Sequence, residues 1–106
     1  VDHSLGNVEL TVGAYGKMLE DAAAIEATWI GKPNKYIFEV TLDTLEIDRK
    51  SVLMVGDRVA TDISGARASG IKSVLVKTGE FKECDLDGAV QPDYIVDSVK
   101  QIKKFF

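Results

Sequence analysis

The stretch SVLMVGD, residues 51–57, constrains the fold more than any other. Its apolar residues run without the alternation of a half-exposed strand and close on Gly-Asp, the pattern of a parallel strand buried on both faces. A parallel neighbour cannot be reached by a tight hairpin; it needs a crossover, usually helical. The next residues suit one. Thr61 is a plausible N-cap, Asp62 suits the positive end of a helix dipole, and Gly65, Ala66 and Ala68 are small enough for close packing on a sheet. Gly70 then reads as the C-cap glycine. KSVLVKTG, residues 72–79, repeats the buried-strand pattern and closes on Gly79, and YIV at 94–96 is a third short strand.

Upstream, Tyr15, Met18, Leu19, Ala22 and Ala23 fall at helical spacing and predict an amphipathic helix over about 13–24. ATWIG reads as a strand at 27–30. Pro33 suits the first turn of a following helix, and Phe38, Leu42 and Leu45 mark its buried stripe to about 46. Residues 80–93 read as an irregular charged loop. Asp97 or Ser98 caps a last helix with Val99, Ile102 and Phe106 inward. Strands alternating with helices give an α/β fold, a Rossmann-like parallel sheet with helices on both faces in three layers. Residues 1–12 are less regular than 13–106, and no other boundary divides the chain.

Composition narrows the function classes. The 106 residues carry a net charge of −4, against the clustered basic surface that non-specific nucleic-acid binding needs. The basic cluster Lys100, Lys103 and Lys104 sits where it complements a helix dipole. Cys84 is the only cysteine, so a reducing, cytoplasmic setting is expected; with a single His it cannot build a structural zinc site. No apolar run reaches the roughly 18 residues of a membrane helix, and the amino terminus lacks a signal-peptide pattern. His3 reads as a loop residue without a role, Trp29 as core or sheet edge, and Cys84 as an inert thiol lacking a nearby His.

In an open parallel sheet, ligands bind beyond the carboxyl ends of the strands. Gly31-Lys32-Pro33, Gly56-Asp57 with Asp62, and Thr78-Gly79 all follow predicted strands and share that edge. Asp57 and Asp62 are spaced to converge on one hard cation such as Mg²⁺; the plainer alternative is that each caps a local turn. Lys32, held between Gly31 and Pro33, either offsets the charge of a phosphate or is a solvated surface lysine.

WIGKPNKYIFEVTLDTL, VLMVGDRVATDISGARASGIKSVLVKTGEF and QPDYIVDSV, in this order, closely resemble the carboxyl-terminal core of haloacid-dehalogenase-superfamily phosphatases. The nearest group is the large α/β-capped subfamily with 4-nitrophenylphosphatase-like, phosphoglycolate-phosphatase-like and nucleotide-phosphatase-like members. The resemblance covers about residues 13–100. It implies that Lys32 matches the lysine that neutralises the nucleophilic Asp and the phosphate. It implies that Asp57 matches the acid that binds Mg²⁺, and Asp62 the second acid of that motif. The implied reaction is two-step hydrolysis of a phosphorylated small molecule through an aspartyl-phosphate.

In that family the nucleophile lies in an Asp-x-Asp segment on an earlier strand, which this sequence does not contain ahead of its lysine motif. CDLDGA, residues 84–89, spells a similar pattern, but Phe81-Lys82-Glu83-Cys84 before Asp85 cannot form the apolar strand a nucleophile needs, so it reads as a coincidental loop. The expectation is therefore the second half of such an enzyme, inactive alone, with residues 1–12 leading in from a missing cap. The strand SVLMVG would then present an apolar edge, completed by a missing amino-terminal half or by self-association. The alternative is a non-catalytic phosphate- or anion-binding module, or a regulatory one, on the same fold. A receiver-like phospho-acceptor domain fits the early GKP loop less well.

Overall fold

The computed structural model describes residues 10–104. Three parallel strands form the sheet: β1 (Leu53–Gly56), β2 (Lys72–Val76) and β3 (Tyr94–Val96), in the spatial order β1-β2-β3. Leu53 faces Lys72 and Gly56 faces Leu75 across the first pair; Val74 faces Tyr94 and Val76 faces Val96 across the second. Helices α1 (Val12–Ala23) and α2 (Lys35–Leu45) precede the sheet and α3 (Ser64–Ala68) links β1 to β2; α2 and α3 pack on it, whereas α1 buries no residue. The architecture is an incomplete Rossmann-like α/β fold.

Period-two alternation along the strands divides the core between the two sheet faces. On one face Leu75 meets Val59 and Ile63, while Phe38 and Leu42 of α2 pack with Ala66 of α3 and Ile71. On the other, Val74, Val76 and Val96 pack with Leu53, Val55, Tyr94 and Ile102. Among the described residues this second face is covered by the short 3₁₀ helix Val99–Lys104, not by a full α-helix. Leu75 and Val74, both fully buried, are the centre of the fold.

Close approach of the helices rests on glycine. A Cβ at Gly65 would lie 2.4 Å from the Phe38 ring and 3.2 Å from the Pro33 carbonyl oxygen. α3 can therefore touch α2 only because that atom is missing, and the contact also braces the Gly31–Pro33 loop. Gly70 follows α3 at φ +68°, in the left-handed region, as its sequence position predicts.

Several expectations are corrected. Residues 27–30 are irregular, not a strand: the Ala27 N–H donates to Glu20 Oε1 at 2.7 Å, and the Trp29 ring lies against Gly16 of α1. Their hydrogen bonds and packing thus go to a helix instead of a ladder, and Trp29 is half-buried on α1. Pro33 precedes α2, which begins at Lys35 after the N-cap Asn34. Thr61 is no cap; it lies within a π-helical turn, Val59–Ile63, that runs into α3. Leu45 and Val99 point to solvent, as do Tyr15, Met18 and Leu19 of α1, which buries no residue. The loop 80–93 contains a 3₁₀ helix, Glu83–Asp87. His3 and Phe106 lie outside the described residues.

The outer edge of β1 is unpaired among the described residues. Beside it lies an apolar cavity of about 390 Å³, lined chiefly by Ile37, Phe38, Leu42, Leu45, Leu53 and Met54.

Candidate active site

The carboxyl edge of the sheet is built by two loops, one after β1 and one after β2, with the turn before α2 reaching over them. β1 ends on Gly56 and delivers Asp57. The chain then winds through the π-helical turn, which brings Asp62 back over the strand end. A Cβ at Gly56 would fall 2.4 Å from Asp62 Oδ2, so this packing requires glycine.

Asp62 is buried, and both of its carboxylate oxygens are engaged. Oδ2 accepts the backbone N–H of Arg58 at 3.2 Å, closing the start of the turn. Oδ1 accepts the Lys32 ammonium at 2.5 Å, a charge-assisted bond across 30 positions of sequence. The Asp62 side chain is 5% exposed and that of Lys32 is 47% exposed, so the carboxylate is held inside while the ammonium faces the open edge. Lys32 is therefore a fixed cation at the rim of the sheet, not a freely solvated surface lysine.

Asp57 is held differently. Its Oδ2 accepts the backbone N–H of Glu80 at 2.7 Å, from the loop after β2. Gly79, at φ +66°, lets the loop close over the carboxylate: a Cβ there would lie 2.1 Å from Asp57 Oδ2. Among the described residues, Asp57 Oδ1 accepts no hydrogen bond. Arg58 and Glu80 also pair through their side chains at 3.4 Å.

These donors fit part of a magnesium site. Mg²⁺ takes one or two carboxylates and completes its shell with water or substrate oxygens. Asp57 offers one uncommitted oxygen at a strand end, and Asp62 lies on the same turn with its charge directed to Lys32. Among the described residues no group of three or more His, Cys, Asp or Glu side chains is gathered.

Asp85 is not at a strand end. It lies in the 3₁₀ helix after Lys82, where its Oδ2 accepts the Lys82 N–H at 2.9 Å and closes its own turn. Cys84 is an exposed free thiol. What the sequence did not signal is Glu80, whose backbone N–H holds Asp57; only the glycine before it marks the place.

A family model for HAD-hydrolase-like proteins matches residues 29–102, the span that contains every element of this site. The chain belongs to the HAD-hydrolase-like family. The phospholysine phosphohistidine inorganic pyrophosphate phosphatase of Danio rerio is 36% identical over 93 residues, covering 87% of this chain and 34% of the relative. The glycerol-3-phosphate phosphatase of Gallus gallus is 34% identical over 100 residues, covering 85% of this chain and 32% of the relative. Among solved structures, the p-nitrophenyl phosphatase from Archaeoglobus fulgidus superposes with a TM-score of 0.78 at 31% identity, covering 89% of this chain and 38% of that one. This HAD chain thus spans about a third of the length of the curated relatives it matches. Among its described residues, no helix is long and apolar enough to cross a membrane.

Proposed function

We propose that this chain supplies the lysine and acidic half of a Mg²⁺-dependent HAD phosphatase that hydrolyses phosphate monoesters. The observation that carries the reading is the Lys32–Asp62 pair set beside Asp57 at one strand edge. The names of the relatives, phosphatases of differing substrates, support the reaction class and leave the substrate open.

Asp57 would hold the cation through its uncommitted oxygen, with Asp62 on the same turn supporting the site through its hold on Lys32. A bound Mg²⁺ would gather the phosphate and carboxylate anions and offset their charge. Lys32, anchored by Asp62, would present its ammonium to the phosphoryl oxygens, where charge spreads during transfer. Because the anchor is buried, the ammonium is positioned before substrate arrives, and no reorganisation accompanies the reaction.

The nucleophile in this reading is an aspartate outside these three strands, none of which ends in Asp-x-Asp. That carboxylate would form an aspartyl-phosphate as the ester oxygen leaves, and water would then cleave it. Alone, the chain would lack turnover. Phosphate release from p-nitrophenyl phosphate in Mg²⁺ tests this: the expected rate is that of buffer. Turnover that vanished in Asp85→Asn would overturn the assignment of the half-site.

A further inference from the structure

The turn Gly79-Glu80 has no role in the reading above, yet it touches its central acid. Three observations converge there. The Glu80 N–H donates to Asp57 Oδ2 at 2.7 Å. Gly79 takes a left-handed φ of +66°, and any side chain on it would overlap that same oxygen. The Glu80 carboxylate reaches back 3.4 Å to the Arg58 guanidinium, next to Asp57 in the chain. The loop after β2 thus closes on the loop after β1 at a single carboxylate.

We propose that Gly79-Glu80 is a positioning element for cation binding, which fixes one oxygen of Asp57 so that the other is aimed outward as the cation ligand. The inference rests on the metal reading of Asp57 and extends it to a second loop. A carboxylate at the end of a strand can turn about its last side-chain torsion and present either oxygen or both. A backbone N–H bound to Oδ2 removes that freedom and leaves one oxygen for a metal whose octahedral shell tolerates little misplacement. Partners that orient a ligand in this way typically change metal affinity by about 10- to 100-fold when removed. The side-chain pair of Glu80 with Arg58 is surface-exposed and contributes little by comparison. The element works through the backbone, so the residue that matters is Gly79.

The test uses the chain itself and two readouts. In the first, Mg²⁺ is titrated by calorimetry into the parent, Gly79→Ala, Asp57→Asn, the Gly79→Ala/Asp57→Asn double variant, and Glu80→Ala. Gly79→Ala is expected to weaken Mg²⁺ at least about tenfold. The double variant should bind no more weakly than Asp57→Asn alone, because the two changes act through one carboxylate. Glu80→Ala keeps the N–H and should remain within about twofold of the parent. Parent-like affinity in Gly79→Ala overturns the proposal. So does a double variant weaker than Asp57→Asn.

The second readout needs no cation and no glycine substitution. The amide proton of Glu80 should move upfield and exchange faster in Asp57→Asn, which removes the charge it donates to. An unmoved Glu80 amide overturns the proposal whatever Mg²⁺ does. If the parent binds no Mg²⁺ while the amide responds as described, the metal reading fails and the clamp on Asp57 stands.

Discussion

Replacing Lys32 with Met isolates the interaction on which the site depends. The change leaves the Asp62 carboxylate, 5% exposed, with the Arg58 N–H as its remaining partner. Breaking a fully buried ion pair costs about 3–5 kcal/mol, because one charge stays behind unpaired. Lys32 is 47% exposed, so water already screens its end of the pair. The expected cost is thereby discounted to about 2 kcal/mol. Asp62→Asn keeps an acceptor for the Arg58 N–H and returns Lys32 to solvent, for about 1 kcal/mol. Once Asn occupies position 62, no buried charge remains for Lys32 to satisfy, and the double variant should cost about 1.5 kcal/mol. The coupling is then about 1.5 kcal/mol, above the 0.2–1 kcal/mol or so of exposed pairs. Urea unfolding followed by far-ultraviolet circular dichroism measures all four proteins. Additivity within about 0.3 kcal/mol would mean that Lys32 and Asp62 do not interact in solution, contrary to this expectation.

Glu20 is held below the usual carboxylate range, first by its hydrogen bond to the Lys17 ammonium and then by the Ala27 N–H. A carboxylate with a depressed folded-state pKa stabilises above its unfolded value of 4.5 and loses that contribution as pH falls through the folded value. Trp29 fluorescence, which reports segment 27–29 on α1, should be constant from about pH 7 to pH 5 and change below about pH 4.5, and Glu20→Gln should abolish the change. The unpaired β1 edge and the apolar cavity beside it are expected to drive self-association when no other segment covers them. Sedimentation velocity should then show mass rising with concentration, and a monomer at every concentration would contradict this.

The strands were the most legible part of the chain. SVLMVGD, KSVLVKTG and YIV contain β1, β2 and β3 in that order, but only β2 has the expected burial: β1 is half-buried along its length, and Ile95 of β3 is exposed. The ends of α1 and α2 lie near 24 and 46 as expected, although the residues that turn there, Ala24 and Glu46 at φ 52° and 54°, are not glycines and gave no signal. ATWIG was misread because an apolar, β-branched segment suits a strand and equally suits a coil docked on a helix; the partner, Glu20, lies seven residues back. Thr61 was misread because the chain starts its helical segment with a wide turn that begins at Arg58, whose own backbone N–H donates to Asp62. In α1 the 3.6-residue period was real, but a period does not name what the apolar face covers, and Tyr15, Met18 and Leu19 are exposed. At the site, Lys32, Asp57 and Asp62 were each visible from strand-end positions. Their connections were not, since the Lys32–Asp62 bond spans 30 residues and the Asp57–Glu80 bond spans 23.

In the proposed function Asp57, not the Asp85 of CDLDGA, is the acid that serves phosphate chemistry. Calorimetric titration with Mg²⁺ of the parent, Asp57→Asn and Asp85→Asn compares them directly. One site is expected, lost or weakened at least about tenfold in Asp57→Asn and unchanged in Asp85→Asn. Binding that survives Asp57→Asn, or that disappears in Asp85→Asn, would contradict that role for Asp57.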